Sequence, residues 1–355
     1  MPVYIGVDFH TRTQTVCWCD TATGECGEQE LENGDLEEVR RFYQQFPQAV
    51  VGVEALGYAG WFHRLIEEVG HALLVGNAQE IRRRAGRRHK NDHRDAVLIL
   101  DLLLHEDFPE IHHLPPASRE VLGLLRYRHR LVKMQTMLKN GVQAVALNEG
   151  LRLKSKLWTE AGRELLAALP LEGAGAWQRE TSLAMLGELG KQIERTEGEL
   201  QKRAQADECV LRLQTHPGVG LLTSLAVAHL LRPTKRFART RQVAAYCGFD
   251  PREQSSGDRQ RFGHISKQGS RLVRFLLGQA ALSALEGDDE LRPFYYRLLK
   301  HRHKHPGVAI TATARKLLIR LFVMLRDQID YAEFRRRGRD ARCAREAQRP
   351  ALCSA

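Results

Sequence analysis

The sequence predicts an α/β amino-terminal domain with a mixed sheet, a helical, coiled-coil-like middle and a mostly α carboxy-terminal domain. Three observations predict it. Short apolar runs alternate with helical periodicity over the first hundred residues. Apolar positions at helical spacing take over from residue 118. Pro115-Pro116 breaks the chain between the two regimes.

Residues 3–8 read as an apolar strand that ends in an acid. Residues 13–20 alternate as a second strand and 27–32 supply a third. Leu36, Val39, Phe42 and Tyr43 fall at helical spacing within 35–46. Residues 49–54 (AVVGVE) are a buried strand ending in a second acid, followed by a helix over 61–69 and a strand over 72–75. Three adjacent antiparallel strands and then αβαβ is the order of a ribonuclease-H-like sheet. A basic burst at 82–90 (RRRAGRRHK) leads into Asn91-Asp92-His93-Arg94-Asp95-Ala96 and an apolar helical run to 104.

Beyond Pro116, Val121, Leu124, Leu125, Leu131, Val132, Met134, Leu138, Val142 and Val145 form a helical stripe, and Leu183, Leu186, Ile193 and Leu200 form a later one. A narrow apolar stripe on long charged helices needs a partner surface, so a dimerisation arm is expected, with a helical spacer as the plainer reading. The carboxy-terminal part holds Pro217-Gly218-Val219-Gly220 before an apolar helix at 221–231, a glycine-rich polar stretch at 248–269, and helices at 272–285 and 309–329. The expected domains are 1–114, 115–207 and 208–331, with a basic, flexible tail over 332–355 that carries seven arginines from Phe334 onward.

Composition narrows the function. The 355 residues carry 54 Lys+Arg against 43 Asp+Glu, a net +11, which points to a polyanionic partner and first to nucleic acid. Hydrophobic residues make up 43%, enough for packed cores and too many for a disordered chain. No apolar run approaches the roughly 20 residues of a membrane span, and no secretory signal is visible, so a cytoplasmic protein is expected. Cys17, Cys19 and Cys26 cluster without a second pair at zinc spacing, so reduced, ordinary thiols are expected. The 300–305 run (KHRHKH) reads as a basic turn, because interleaved Lys and Arg repel cations.

Asp8 and Glu54 end two separate strands. Asp92 and Asp95 stand three apart at a helix start and share one face. Each acid alone has a bland explanation, as a strand end or as an acid favouring a helix N-terminus. Together, four carboxylates from three elements of one α/β domain suit two hard cations that activate an attacking oxygen and stabilise a leaving oxygen at phosphorus. The basic burst before Asp92 would grip a phosphate backbone beside them, through Arg82, Arg83, Arg84, Arg87, Arg88 and Lys90.

Ile5-Gly6-Val7-Asp8, Val53-Glu54-Ala55 and Asn91-Asp92-His93-Arg94-Asp95-Ala96 resemble the signature of the DEDD transposases of the insertion sequence 110 family, with its 1111 group and the Piv-type DNA invertases. The resemblance runs from residue 3 to about 330. It implies a RuvC-like fold for the first domain and a Mg²⁺ site, with two ions, on Asp8, Glu54, Asp92 and Asp95.

In the second half, Pro217-Gly218-Val219-Gly220 resembles a helix-hairpin-helix, in which Gly218 and Gly220 let the backbone approach a phosphate; a plain turn packed within the domain competes equally. The polar stretch contains Ser255-Ser256-Gly257 and Gly263-His264-Ile265-Ser266-Lys267-Gln268-Gly269. A serine there is ordinarily a turn residue. The resemblance implies instead that Ser256 is a nucleophile that links covalently to DNA, with Ser255 or Ser266 as second choices. Arg259, Arg261 and Lys267 would neutralise the phosphate or bind the backbone.

The resemblance thus implies a transposase acting as a site-specific recombinase on double-stranded donor and target DNA. It further implies guidance by a structured non-coding bridge RNA, and dimers that pair into tetramers. A RuvC-like endonuclease acting by hydrolysis is the principal alternative. A non-catalytic nucleic-acid-binding protein is the third reading.

Overall fold

The computed structural model describes residues 3–84, 92–152, 154–253 and 262–347. The chain divides into two compact units, 1–114 and 115–355. The first holds five strands in one sheet: β1 (Val3–Phe9), β2 (Thr13–Asp20), β3 (Cys26–Glu32), β4 (Ala49–Glu54) and β5 (Ala72–Gly76), in the spatial order β3-β2-β1-β4-β5. The β3-β2-β1 half is antiparallel, and β4 and β5 continue it in parallel. Among the described residues four helices complete the unit: α1 (Leu36–Gln44), α2 (Gly60–Val69), α3 (Ala78–Arg84) and α4 (Asp92–Leu104).

Alternation along the strands decides what each face meets. Val3, Ile5, Val7 and Phe9 of β1, with Val51 and Val53 of β4, join Phe42, Tyr43, Phe62 and Ile66 of α1 and α2 in the main core. The opposite face carries Tyr4, Gly6, Asp8, Val50, Gly52 and Glu54, and α4 lies on it. A Cβ on Gly6 would stand 2.4 Å from the Ala96 carbonyl and 2.5 Å from the Leu100 nitrogen. A Cβ on Gly52, paired in register with Gly6, would meet the Leu103 and Ile99 side chains at 2.8 and 3.1 Å. Two adjacent strands therefore lack side chains where α4 crosses them, and the helix backbone rests directly on β1.

Local signals set the ends of these elements. The Asp35 carboxylate accepts the Glu38 amide at 2.9 Å and starts α1. Gly70, at φ +89°, closes α2. One expectation fails in this unit. Cys19 and Cys26 are paired across β2 and β3, their Cα atoms 4.1 Å apart, and are joined by a disulfide. The antiparallel register faces the two side chains at one another, which their sequence spacing does not reveal. Cys17 and Cys247 are free thiols, pushed by burial to about 11 and about 12, so neither is a thiolate at neutral pH.

The second unit is helical: α5 (Pro116–Asn148), α6 (Glu160–Ala168), α7 (Gly173–Gln205), α8 (Glu208–Gln214), α9 (Leu221–Leu231) and α10 (Thr240–Tyr246). A hairpin of β6 (Pro251–Glu253) and β7 (Phe262–Ile265) follows, then α11 (Arg271–Gly287), α12 (Leu291–Lys300), α13 (Pro306–Asp327) and α14 (Tyr331–Ala347). Pro115 and Pro116 occupy the cap and first position of α5, where a missing N–H costs nothing. The long helices α5 and α7 pack along each other. At their far end Val142, Ala146, Leu157 and Leu166 make a small separate core. At their near end they pack with the carboxy-terminal helices α8 and α9, within the one compact unit over 115–355. Every residue of α9 from Thr223 to Leu231 is buried, and that uniformly apolar helix needs cover on all sides. α5 supplies part of it, with the Ser118 hydroxyl 3.1 Å from His229 Nδ1.

Of the expected tail, 331–347 forms the helix α14 and 348–355 lie outside the described residues. Glu333 pairs with Arg336 and Arg337 one turn on, each at 2.7 Å. Tyr331 donates its hydroxyl to Asp288 at 2.8 Å. Asp288, wholly buried, also accepts the Leu291 amide at 2.8 Å and a guanidinium nitrogen of Arg320 at 2.5 Å. Burial pushes the Asp288 carboxyl up, but the Leu291 amide, Arg320 and Tyr331 outweigh it and the net displacement is downward. Among the described residues no helix is long and apolar enough to cross a membrane.

Candidate functional site

β1 and β4 run parallel with Val7 opposite Val53. Asp8 and Glu54 follow these residues by one position, so their side chains share a face, one interstrand spacing of about 4.8 Å apart. That face is the one under α4. Asp8 is 13% and Glu54 19% exposed at the side chain, so both are sheltered yet open to a ligand. His10 Nε2 lies 3.1 Å from Asp8 Oδ2, and Arg82 of α3 donates to Glu54 Oε1 at 2.8 Å.

α4 begins at Asp92. Asp95, half-buried, immediately precedes Ala96, the residue whose carbonyl crosses Gly6. Gly6 is two residues before Asp8 on the same face. Asp8, Glu54 and Asp95 thus come from three elements that meet on the α4 face of the sheet, with the Asp92 backbone one turn ahead of Asp95. The Asp92 side chain lies outside the described residues, and among the described residues no set of three or more ligating side chains is gathered.

Three members of the basic burst lie among the described residues, and each has a carboxylate partner. Arg82 reaches Glu54, Arg83 pairs with Glu80 at 2.6 Å, and Arg84 pairs with Asp107 at 2.9 Å. Arg87, Arg88 and Lys90 lie outside the described residues.

In the second unit, Ser255, Ser256, Arg259 and Arg261 also lie outside the described residues; the flanking strands β6 and β7 pair antiparallel. The base of that hairpin is tied several ways. Buried Ser266 donates its hydroxyl to the Asp250 carboxylate. That contact gives Ser266 a structural task at the base of the hairpin. Arg274 of α11 donates to the Cys247 carbonyl at 3.1 Å and to that of Gln268. Gly248 and Gly269 sit at φ +73° and +70°, where a Cβ on either would stand 2.1 Å from a carbonyl oxygen across the base. Lys267 is exposed, at φ +58°. Asp250 and Arg274 carried no motif weight in the sequence. The signal that could have found them is the run of turn residues Gly248-Phe249-Asp250-Pro251.

Gly218, at φ +77°, is needed for packing, since a Cβ there would stand 2.3 Å from the Ala284 nitrogen of α11. Gly220 caps α9 with open space around it. The 301–305 run is exposed, and His305 Nδ1 accepts the Gly307 amide at 3.1 Å to start α13.

An acid-bearing α/β unit followed by a helical unit with a tied hairpin is the frame that the comparisons fit. A family model described as "Transposase", of the DEDD type of IS110, matches residues 5–149, and one described as "Transposase IS116/IS110/IS902 family" matches 210–296. The chain is 31% identical over 254 residues to a Pseudomonas aeruginosa protein described as "Probable family 20 transposase", covering 68% of this chain and 72% of that one. It is 31% identical over 242 residues to the transposase for insertion sequence element IS1111A of Coxiella burnetii (66% of this chain, 65% of that one). It is 29% identical over 251 residues to the transposase for insertion sequence element IS1328 of Yersinia enterocolitica (69% and 73%). The chain belongs to the IS110 family of DEDD transposases, enzymes that act on DNA.

Proposed function

We propose that the chain cuts and rejoins double-stranded DNA as a site-specific recombinase, using a divalent-metal site on Asp8, Glu54, Asp92 and Asp95 and a serine nucleophile, Ser256. The observation that carries this reading is the parallel register that sets Asp8 beside Glu54 on the α4 face. The donor set is carboxylate oxygen only, which suits Mg²⁺. The cationic Arg82 on Glu54 marks where positive charge is wanted. When bound, two such ions supply charge stabilisation at the attacking and leaving oxygens.

Ser256 supplies the attacking oxygen. Its Oγ–P bond forms as a P–O bond to deoxyribose breaks; the serine proton leaves to a base and the sugar oxygen takes one up. Because one phosphodiester replaces another, the reverse step rejoins DNA without an added energy source. Arg259, Arg261 and Lys267 steady the phosphate. The family resemblance extends the reading to a structured guide RNA that pairs with donor and target, to dimers pairing into tetramers through the α5–α7 arm, and to the bacterial cytoplasm.

The full-length protein, given paired DNA sites, Mg²⁺ and the element's RNA, tests this. Covalent protein–DNA adducts are expected with the wild type and are absent in Ser256→Ala. Asp8→Asn and Asp92→Asn abolish cleavage and retain RNA binding. Free ends without any adduct would establish the hydrolytic alternative, and full activity of Asp8→Asn would sink the metal-site reading.

A further inference from the structure

The second unit has a cationic and aromatic surface that the proposed chemistry does not use, where α5 crosses the start of α11. His129 of α5 and Phe275 of α11 are in ring contact, centroids 5.1 Å apart and planes at 50°. Phe275 is nonetheless 48% exposed. Three cations from the two helices bear on His129: burial lowers its pKa, and Lys133, Arg128 and Arg271 lower it further. Burial and the three cations therefore disfavour the protonated imidazole, which backs the Phe275 ring. Arg126, Arg130 and Lys133 stand at i−3, i+1 and i+4 from His129, on the same face of α5, and all three are exposed. Arg128 is held by Glu197 of α7 at 2.5 Å. Among the described residues, Arg126, Arg130, Lys133 and Arg271 have no carboxylate partner.

Cations without a carboxylate partner on the two helices that carry an exposed ring, Arg130 among them lying over the Tyr127 ring 5.9 Å from its centroid, call for a ligand with spaced negative charge and a free π face. A phosphodiester strand has both. Inside a duplex the base faces are already stacked, so the exposed ring favours a strand with an unpaired base. The position also matters. β7 ends at Ile265 and α11 begins at Arg271, so the patch adjoins the hairpin on either side of the Ser256 segment.

We infer that the α5–α11 crossing is a docking surface for a single strand of the DNA substrate, with phosphates on Arg126, Arg130, Lys133 and Arg271 and one unpaired base stacked on Phe275. This rests on the reading of Ser256 as the group that attacks DNA.

Binding of the full-length protein to a fluorescent single-stranded DNA, its duplex and the same-sequence RNA, across a KCl series, tests it. Lys133→Gln with Arg271→Gln is expected to reduce the log–log salt slope for the single strand by about 1.4, or about 0.7 per phosphate contact. Arg126→Gln with Arg130→Gln does the same. Phe275→Leu weakens single-strand binding about tenfold and leaves the duplex unchanged. Lys191→Gln with Lys202→Gln, an equal charge loss on α7, leaves the slope as it was. The inference is overturned if that control lowers the slope equally, if Phe275→Leu weakens the duplex as much as the single strand, or if the patch variants weaken RNA and spare DNA. Unchanged melting points show that the variants fold. Adduct formation by the wild type is scored separately, so a failed serine mechanism and a failed docking surface give different results.

Discussion

At the scale of single residues, Gly6 does more than its size suggests. Its missing Cβ admits α4 backbone, and that backbone begins with Asp92 and Asp95. Gly6→Ala is expected to cost about 1–3 kcal/mol of stability, since the groups it meets are a carbonyl and an amide that cannot rotate away. Gly52→Ala meets the flexible ends of Leu103 and Ile99 and costs less. Denaturant midpoints of the two variants check the order. Because Gly6→Ala also pushes α4 off β1, its DNA cleavage should fall further than that of Gly52→Ala at matched stability; equal losses would argue against positioning of the acids by this contact. Asp8 and Glu54 were legible in the sequence because an acid closing an apolar strand is conspicuous. The destination of Arg82 was not, because a run of arginines gives no sign of which acid each one meets.

At the scale of elements, the buried Asp288–Arg320 pair joins the start of α12 to α13, and Tyr331 brings in α14. Removing the carboxylate leaves a guanidinium that is 5% exposed with, among the described residues, Glu290 as its remaining carboxylate partner. Asp288→Ala is expected to destabilise the protein by about 3–5 kcal/mol. Thermal unfolding measures this, and a loss under about 1 kcal/mol, the ceiling for an exposed pair, would contradict it. None of this was readable from the chain, since the partners stand 32 and 43 residues apart with no periodic signal between them. The helix α14 was missed for a related reason. An arginine-rich composition reads as solvated chain, yet the Glu333 pairs and the anchored Tyr331 stabilise a helix. Strands β1 to β5 were legible, because their apolar runs are short and bounded and their order follows from them.

At the scale of the whole molecule, acid should weaken the fold through two histidines. His216 and His229 are both pulled from 6.5 to about 4, burial being the first cause in each. Their folded pKa values lie below the unfolded one, so the stabilisation is complete above pH 6.5. It is lost as the pH falls toward 4, where the unfolded chain takes up protons the native state refuses. A displacement of about 2.5 pH units per histidine, at about 1.4 kcal/mol each, puts the loss on the order of 3 kcal/mol per residue. Melting points between pH 7 and 4.5 should fall steeply in the wild type and less so in His216→Gln; parallel curves would show that His216 does not titrate in this way.

The pair α5 and α7 has a mechanical side. A helix of 33 residues at about 1.5 Å per residue is a rod of about 50 Å. Its near end is clamped beside α9, where Ser118 meets His229, and its far end carries a small core of its own around Val142 and Leu166. A rod anchored at one end is a lever. Turning the base by about 5° would swing the tip by about 4 Å over that length, more than a hydrogen bond tolerates. Small repacking around α9 is thus magnified at the tip, and any partner gripping the tip gains leverage on the helices that carry the hairpin.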